Sequence, residues 1–212
     1  MSLRIFEIFH SLQGESSRVG LPTVFVRLTG CPLRCGYCDT EYAFHGGSTQ
    51  SFEEILANVA SYQAQYVCVT GGEPLAQKGC HALLKMLCDA GYQVSIETSG
   101  AMDISQVDRR VSVIMDIKTP GSGEVGKNLW SNISALEAKD EVKFVLVDRA
   151  DYDWAKQILA QYDLTQKCPV LLSPVYKTLP PADLATWVLE DRLPVRMQVQ
   201  LHKILWGEKA GV

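Results

Sequence analysis

Short apolar runs rich in valine and isoleucine recur along the chain, separated by stretches whose apolar residues fall three and four positions apart. The runs at 23–28, 66–70, 93–97, 111–116, 142–147, 170–173 and 197–201 are too short for helices and read as strands. Ser51-Phe52-Glu53-Glu54 opens a helix with serine at the cap and glutamate three residues later, and Ile55, Leu56 and Val59 give that helix its buried stripe. A second helix covers 79–90 with Leu83, Leu84, Met86 and Leu87, and Gly91 stops it. Two more are expected at 152–161 and 182–189, the latter announced by Pro180-Pro181. Alternation of strand and helix implies right-handed crossovers and a mainly parallel sheet. About six core strands are too few for a closed eight-stranded barrel of about 250 residues. The expected fold is therefore α/β, a partial, open (β/α) barrel, with residues 1–212 forming one domain. The stretch 119–128 reads as a loop, and the tail beyond Trp206 as loosely held.

Bulk properties narrow the function. A chain of 212 residues with 47% hydrophobic and 21% charged residues can bury a core and is not disordered. A formal net charge of -4 argues against a nucleic-acid-binding surface. No apolar run approaches the roughly 20 residues that span a bilayer, and no apolar signal region precedes Glu7, so a cytoplasmic location is expected. Seven cysteines in a reducing compartment favour metal or core roles over disulfides. Cys68, Cys80, Cys88 and Cys168 lie in apolar or helical stretches and read as small buried hydrophobes.

Several strands end abruptly in polar residues. The run 23–28 leads into Thr29-Gly30 and a cysteine loop; 66–70 ends in Thr70-Gly71-Gly72-Glu73-Pro74; 93–97 ends in Glu97-Thr98-Ser99-Gly100. The run 111–116 ends in Asp116-Ile117-Lys118-Thr119-Pro120, and 170–173 ends in Ser173-Pro174. In parallel α/β folds the loops at the carboxyl ends of the strands converge on ligands, so these five endings are expected to share one rim. Gly71-Gly72 permits close backbone approach to a ligand, and Glu73 is suited to accept from an ammonium group.

The chemistry concentrates in Cys31-Pro32-Leu33-Arg34-Cys35-Gly36-Tyr37-Cys38. A C-x3-C-x2-C run places three thiolates in one loop. Three ligands with no fourth cysteine beside them suit a cluster that leaves one metal position open to a substrate, whereas closed structural sites supply four. The spacing resembles that of the radical S-adenosylmethionine (SAM) enzymes, in which three cysteines hold a [4Fe-4S] cluster and SAM chelates the remaining iron. Gly71-Gly72-Glu73-Pro74 resembles the GGEP motif of the same superfamily.

Within that superfamily, Ser11-Leu12-Gln13-Gly14-Glu15, Cys38-Asp39-Thr40 and the late Gln200-Leu201-His202-Lys203 resemble the 7-carboxy-7-deazaguanine synthase family, over nearly the whole chain from Phe6 to Trp206. Family members commonly have threonine where this chain has Leu201. The resemblance implies a homodimer with a modified radical SAM core. It would convert a carboxylated tetrahydropterin to a 7-deazaguanine with loss of ammonia, drawing on an external flavodoxin- or ferredoxin-like electron donor and on Mg2+. It implies cluster ligation by Cys31, Cys35 and Cys38, and SAM contacts from Tyr37, Cys38, Asp39, Gly72, Glu73, Glu97, Asp116, Ile117, Lys118 and Ser173. It further implies Mg2+ ligation by Thr40 and substrate contacts from Leu12, Gln13, Gly14, Arg27 and Thr70. The residue types suit these roles. One amide at Gln13 offers donor and acceptor to a guanine-like edge, and the fork of Arg27 matches a carboxylate. Proton transfer late in the reaction would need an acid or base, for which His10 and Glu15 are candidates beside structural roles. Two other readings stand next to this one: a radical SAM activase that installs a glycyl radical on a partner protein, and a zinc module built from Cys31, Cys35, Cys38 and His45.

Overall fold

The computed structural model describes residues 1–212. Nine strands share one sheet: β1 (Ser2–Leu12), β2 (Pro22–Leu28), β3 (Ser48–Ser51), β4 (Tyr66–Gly71), β5 (Gln93–Thr98), β6 (Ser112–Asp116), β7 (Glu141–Leu146), β8 (Val170–Pro174) and β9 (Arg196–Met197). Their order is β3-β1-β2-β4-β5-β6-β7-β8-β9. From β2 to β9 every neighbouring pair is parallel, and β1 and β3 extend the sheet antiparallel beside β2. No pairing joins β3 to β9, so the sheet stays open, as expected for a partial (β/α) barrel.

The helices are α1 (Phe52–Ser61), α2 (Cys80–Asp89), α3 (Arg149–Tyr162), α4 (Leu164–Lys167), α5 (Pro181–Glu190) and α6 (Leu201–Trp206). Val24, Val26, Leu28, Val67, Val69, Val94, Ile96, Val113, Met115, Val142, Phe144, Leu146, Val170 and Leu172 pack against Ile55, Val59, Leu83, Leu84, Leu87, Tyr152, Ile158 and Leu184 from the helices, forming one apolar core on one face of the sheet.

The expected capping box is present: the Ser51 hydroxyl accepts from the Glu54 amide at 3.2 Å, and the Glu54 carboxylate accepts from the Ser51 amide at 2.7 Å. Ser51→Ala should lower stability by about 1 kcal/mol, a fall of roughly 2–4 °C in the thermal midpoint of the cluster-free protein. An unchanged midpoint would show that the cap contributes nothing.

Three sequence expectations need correction. The N-terminal β1 was absent from the strand set because its alternation breaks: the register with β2 shifts between Ile5 and Glu7, which reverses the face on which apolar residues fall. The strand expected at 197–201 shrinks to Arg196–Met197. After it, the Gln198 amide donates to Leu172 O at 2.9 Å and the Leu201 amide donates to Gly14 O at 3.0 Å, so the chain leaves the sheet and turns into α6. The stretch 119–128 forms two short 3-10 turns, Pro120–Ser122 and Val125–Lys127. The Thr119 hydroxyl fixes it by donating to Asp151 at 2.8 Å. No helix is long and apolar enough to cross a membrane.

Candidate active site

Strand periodicity builds the site. Positions that alternate with the core valines, isoleucines and leucines face away from the helices. On β2 these are Phe25 and Arg27, on β4 Cys68 and Thr70, on β5 Ser95 and Glu97, and on β6 Ile114 and Asp116. On β7 they are Glu141, Lys143 and Val145, and on β8 Leu171 and Ser173. Cross-strand register brings the late members level: Arg27 lies opposite Thr70, and Asp116 opposite Lys143. This second face is therefore apolar towards the amino ends of several strands and charged towards their carboxyl ends.

Over those carboxyl ends lies a cavity of about 520 Å³. Its wall includes Arg27, Thr70, Glu97, Asp116, Lys118 and Lys143 from the sheet side, Leu12 at the end of β1 with Gln13, Gly14 and Glu15 from the loop after it, and Cys31, Cys35, Tyr37, Cys38, Asp39 and Thr40 from the loop after β2. The three cysteines are half-buried and carry no disulfide. Burial pushes each of their thiols up, and in Cys35 the neighbouring sulfurs of Cys38 and Cys31 add to the shift. The Leu33 amide points at Cys31 Sγ, 3.4 Å away. The loop is fixed from outside by Gly36 N donating to Ser122 O at 3.0 Å and by Arg34 N donating to Glu124 at 2.6 Å.

Gly71 and Gly72 act as packing residues. A Cβ on Gly72 would collide with the carbonyl of Gly30 and with the Cys31 side chain, and one on Gly71 would collide with Leu28 O. The end of β4 thus presses directly on the start of the cysteine loop, and the Glu73 amide donates to Gly30 O at 2.8 Å. The Glu73 carboxylate turns elsewhere. It is fully buried and accepts from the Leu75 amide (2.9 Å), the Thr98 hydroxyl (2.9 Å), and the Ser99 amide (2.7 Å) and hydroxyl. Held by these bonds, the carboxylate sits behind the cavity wall in this structure and does not line it. Ile117 and Ser173 also lie outside the cavity wall, although Ser173 Oγ is buried and makes no hydrogen bond.

Gln13 is buried and engaged: its Nε2 donates to Glu97 at 3.2 Å and its Oε1 accepts from the Glu15 amide at 3.2 Å. Glu97 accepts in turn from the Thr70 hydroxyl at 3.1 Å. The structure therefore groups Glu97 with Gln13 and Thr70. Arg27 uses Nε on Glu7 at 2.8 Å and lies between the rings of Phe9 and Tyr42, and no hydrogen bond occupies its two Nη groups.

On the opposite wall Lys118 Nζ donates to Asp116 Oδ2 at 3.1 Å, while Asp116 Oδ1 is buried without a partner. Burial works against the charge on Lys118, but Asp116, Tyr37 and Cys35 together hold the ammonium above the ordinary lysine range. Burial pushes the Tyr37 hydroxyl up to about 12. Its oxygen lies 3.4 Å from Val145 O.

Thr40 Oγ1 donates to Asp39 Oδ1 at 2.8 Å, and Lys203 sits 3.3 Å from Asp39 Oδ2. Burial opposes ionisation of Asp39, yet Lys203, the Thr40 hydroxyl, His202 and Lys143 together hold the carboxyl below its usual range. The C-terminal segment closes this side. Gln200 Nε2 donates to Glu15 at 2.7 Å, and the ring of His202 fills the space that a side chain on Gly14 would need.

One prominent cavity residue is absent from the sequence reading. Lys143 is buried on β7, bonded to Glu15 and 3.7 Å from Asp116. The signal was available: lysine alternates with Val142 and Phe144 in the apolar run Val142–Leu146 of a central strand. His10, weighed as an acid or base, does not line the cavity; it stands against Tyr62.

Three cysteines on one wall with a neighbouring open volume fit a cubane cluster, in which each thiolate binds a different iron. No three His, Cys, Asp or Glu side chains are placed to hold a single ion, and His45 is exposed and outside the cavity, which disfavours the zinc arrangement. A lone hydroxyl at Thr40 suits a cation that keeps most of its waters, as Mg2+ does.

Comparison with known proteins agrees with this geometry. The Radical SAM superfamily profile matches residues 25–119. A 7-carboxy-7-deazaguanine synthase from Chlorobaculum tepidum is 47% identical over 211 residues, covering 98% of this chain and 96% of that protein. One from Koribacter versatilis is 44% identical, covering 99% and 100%. The crystal structure of QueE from Escherichia coli superposes with a TM-score of 0.78 at 25% identity, covering 95% of each chain. SuiB from Streptococcus suis, with a TM-score of 0.58 at 11% identity over 81% of this chain and 46% of its own, shares the fold alone.

Proposed function

The chain belongs to the 7-carboxy-7-deazaguanine synthase family of radical SAM enzymes, and from that membership we propose that it contracts 6-carboxy-5,6,7,8-tetrahydropterin to 7-carboxy-7-deazaguanine, releasing ammonia, on a route to queuosine and related 7-deazapurines. The observation that carries the reading is a single cavity with the Cys31–Cys35–Cys38 loop on one wall and the Arg27–Thr70–Glu97–Gln13 group on another.

When bound, the cluster and SAM supply a reversible source of a hydrogen-abstracting 5′-deoxyadenosyl radical. Cys31, Cys35 and Cys38 hold the cluster, and Gly72 keeps the cysteine loop seated on β4. Asp116 offers its free Oδ1 to a hydroxyl donor of the nucleoside, and Lys118 pairs with the methionyl carboxylate side while remaining charged. Tyr37, Cys38 and Asp39 border the same seat, whereas Glu73, Ile117 and Ser173 do not line the cavity. Across the cavity, Arg27 directs its free Nη pair to the pterin carboxylate. Glu97 accepts from the N–H edge of the pterin, held in place by Gln13 and Thr70, and the backbone of Leu12 and Gly14 lines that edge. Thr40 contributes one oxygen to Mg2+, with substrate and water completing the shell. Glu15, buried near this edge, is held by Lys143 and Gln200.

An external flavodoxin- or ferredoxin-like protein would deliver the electron. Cytoplasmic location accords with seven unpaired cysteines. Ile204, Leu205 and Trp206, exposed on α6, give an apolar face for the second subunit of a homodimer.

The deciding assay is anaerobic incubation of cluster-loaded protein with the carboxypterin, SAM and dithionite. Formation of the deazaguanine by mass spectrometry is expected. SAM cleavage without that product, on this substrate, would transfer the assignment to an activase acting on a protein partner.

A further inference from the structure

We infer that Lys143 is a positioning residue that holds the two halves of the cavity in register, so that the radical source and the pterin are presented to each other at the reacting distance. The inference rests on the functional reading above and concerns a residue outside the cluster loop and the glycine-rich turn.

The argument is one of connectivity. Lys143 sits on central strand β7, opposite Asp116 of β6 in the register. Its Nζ bonds Glu15 Oε2 and lies 3.7 Å from Asp116 Oδ2. Asp116 belongs to the wall with Lys118 and the cysteines, and Glu15 to the loop that carries Gln13. The network runs on from Glu15, whose amide donates to Gln13 Oε1, and then from Gln13 Nε2 to Glu97 and from Thr70 to Glu97. One ammonium therefore joins the wall bordering the nucleoside to the wall bordering the pterin.

Lys143 is also held firmly. It is buried, and its strand neighbours Val142 and Phe144 are locked in the core on the other face. Burial disfavours its charge, but Asp116, Glu15 and Glu97 together keep it protonated. A permanently charged, immobile ammonium is a poor proton donor and a good fixed reference point. Glu15 has a second anchor in Gln200, so the C-terminal segment is tied to the same network. Loss of the ammonium leaves buried Glu15 with Gln200 alone and half-buried Asp116 with Lys118 alone, and lets the Gln13–Glu15 loop shift relative to Asp116.

The test compares Lys143→Met and Lys143→Arg with the wild type. Arginine keeps the charge but, with a planar fork on a longer stem, cannot place one nitrogen at the same point. Both variants are loaded with cluster anaerobically, and iron content and thermal midpoint confirm the fold. SAM affinity, measured by equilibrium binding, should stay within about threefold of wild type. Affinity for the carboxypterin, measured the same way without reductant, should fall at least tenfold. Under turnover, 5′-deoxyadenosine released per deazaguanine should rise at least tenfold, since the radical forms without its target in register. A folded Lys143→Arg protein with wild-type pterin affinity and product ratio overturns the inference, whatever becomes of Lys143→Met. A wild-type protein that makes no deazaguanine overturns the functional reading, and the inference with it.

Discussion

Replacing Cys31, Cys35 or Cys38 by alanine should abolish reductive SAM cleavage. Each supplies one of three thiolates, and no other cysteine lines the cavity to take its place. Changes to groups that merely support a metal ligand lower affinity or activity by about 10–100-fold, so loss of a ligand itself should exceed roughly 100-fold. The expected signature is loss of iron and sulfide, loss of the visible thiolate-to-iron absorption, and no 5′-deoxyadenosine on addition of dithionite. Cys88→Ala is the control. Its thiol is half-buried on α2, outside the cavity, and its removal should leave iron content and cleavage unchanged. Retained cleavage in any of the three loop variants would refute the ligand assignment.

The core and the cysteine loop were readable in the sequence for the same reason: both are local patterns. Alternating valines and isoleucines mark the strands, and three cysteines within eight residues share one loop however the rest folds. What was not readable depended on partners far away in the chain. Glu73 stands out because two glycines precede it, but that Thr98 and Ser99, twenty-five and twenty-six residues later, donate to its carboxylate is written nowhere near it. Met197, Val199 and Leu201 alternate like a strand, yet the bond from Leu201 to Gly14, far away in sequence, draws that segment off the sheet. Lys143 went unread although its phase was visible, because its significance lies in Glu15 and Asp116 converging on it. Local propensity yielded to tertiary contacts where the site is assembled, which is where local rules are expected to fail.

Arg27→Ala should weaken the carboxypterin far more than SAM. In the folded protein Nε is committed to Glu7, and the Tyr42 hydroxyl lies 3.2 Å from the same Glu7 oxygen. The Phe9 and Tyr42 rings lie 5.7 and 5.8 Å from the guanidinium carbon, limiting how it swings. Arg27 lines the cavity with both Nη groups free of hydrogen bonds, so the fork is available to grip a carboxylate at two points. Removing one partner of a desolvated, hydrogen-bonded charge pair costs about 2–5 kcal/mol, which corresponds to a loss of roughly thirty- to several-thousand-fold in kcat/KM for the pterin. Lysine should recover little of this, since it replaces the fork with a point charge and still meets Glu7. In the proposed arrangement SAM sits against the other wall, so its affinity should change less than about threefold, as expected for sites without shared partners. Equal losses for the two ligands would place Arg27 in the framework of the cavity, with Glu7 as its only real partner. A loss confined to the pterin, in a variant whose cluster spectrum matches the wild type, would fix the carboxylate end of the substrate at β2 and so set the orientation of the whole ring against the cysteine loop.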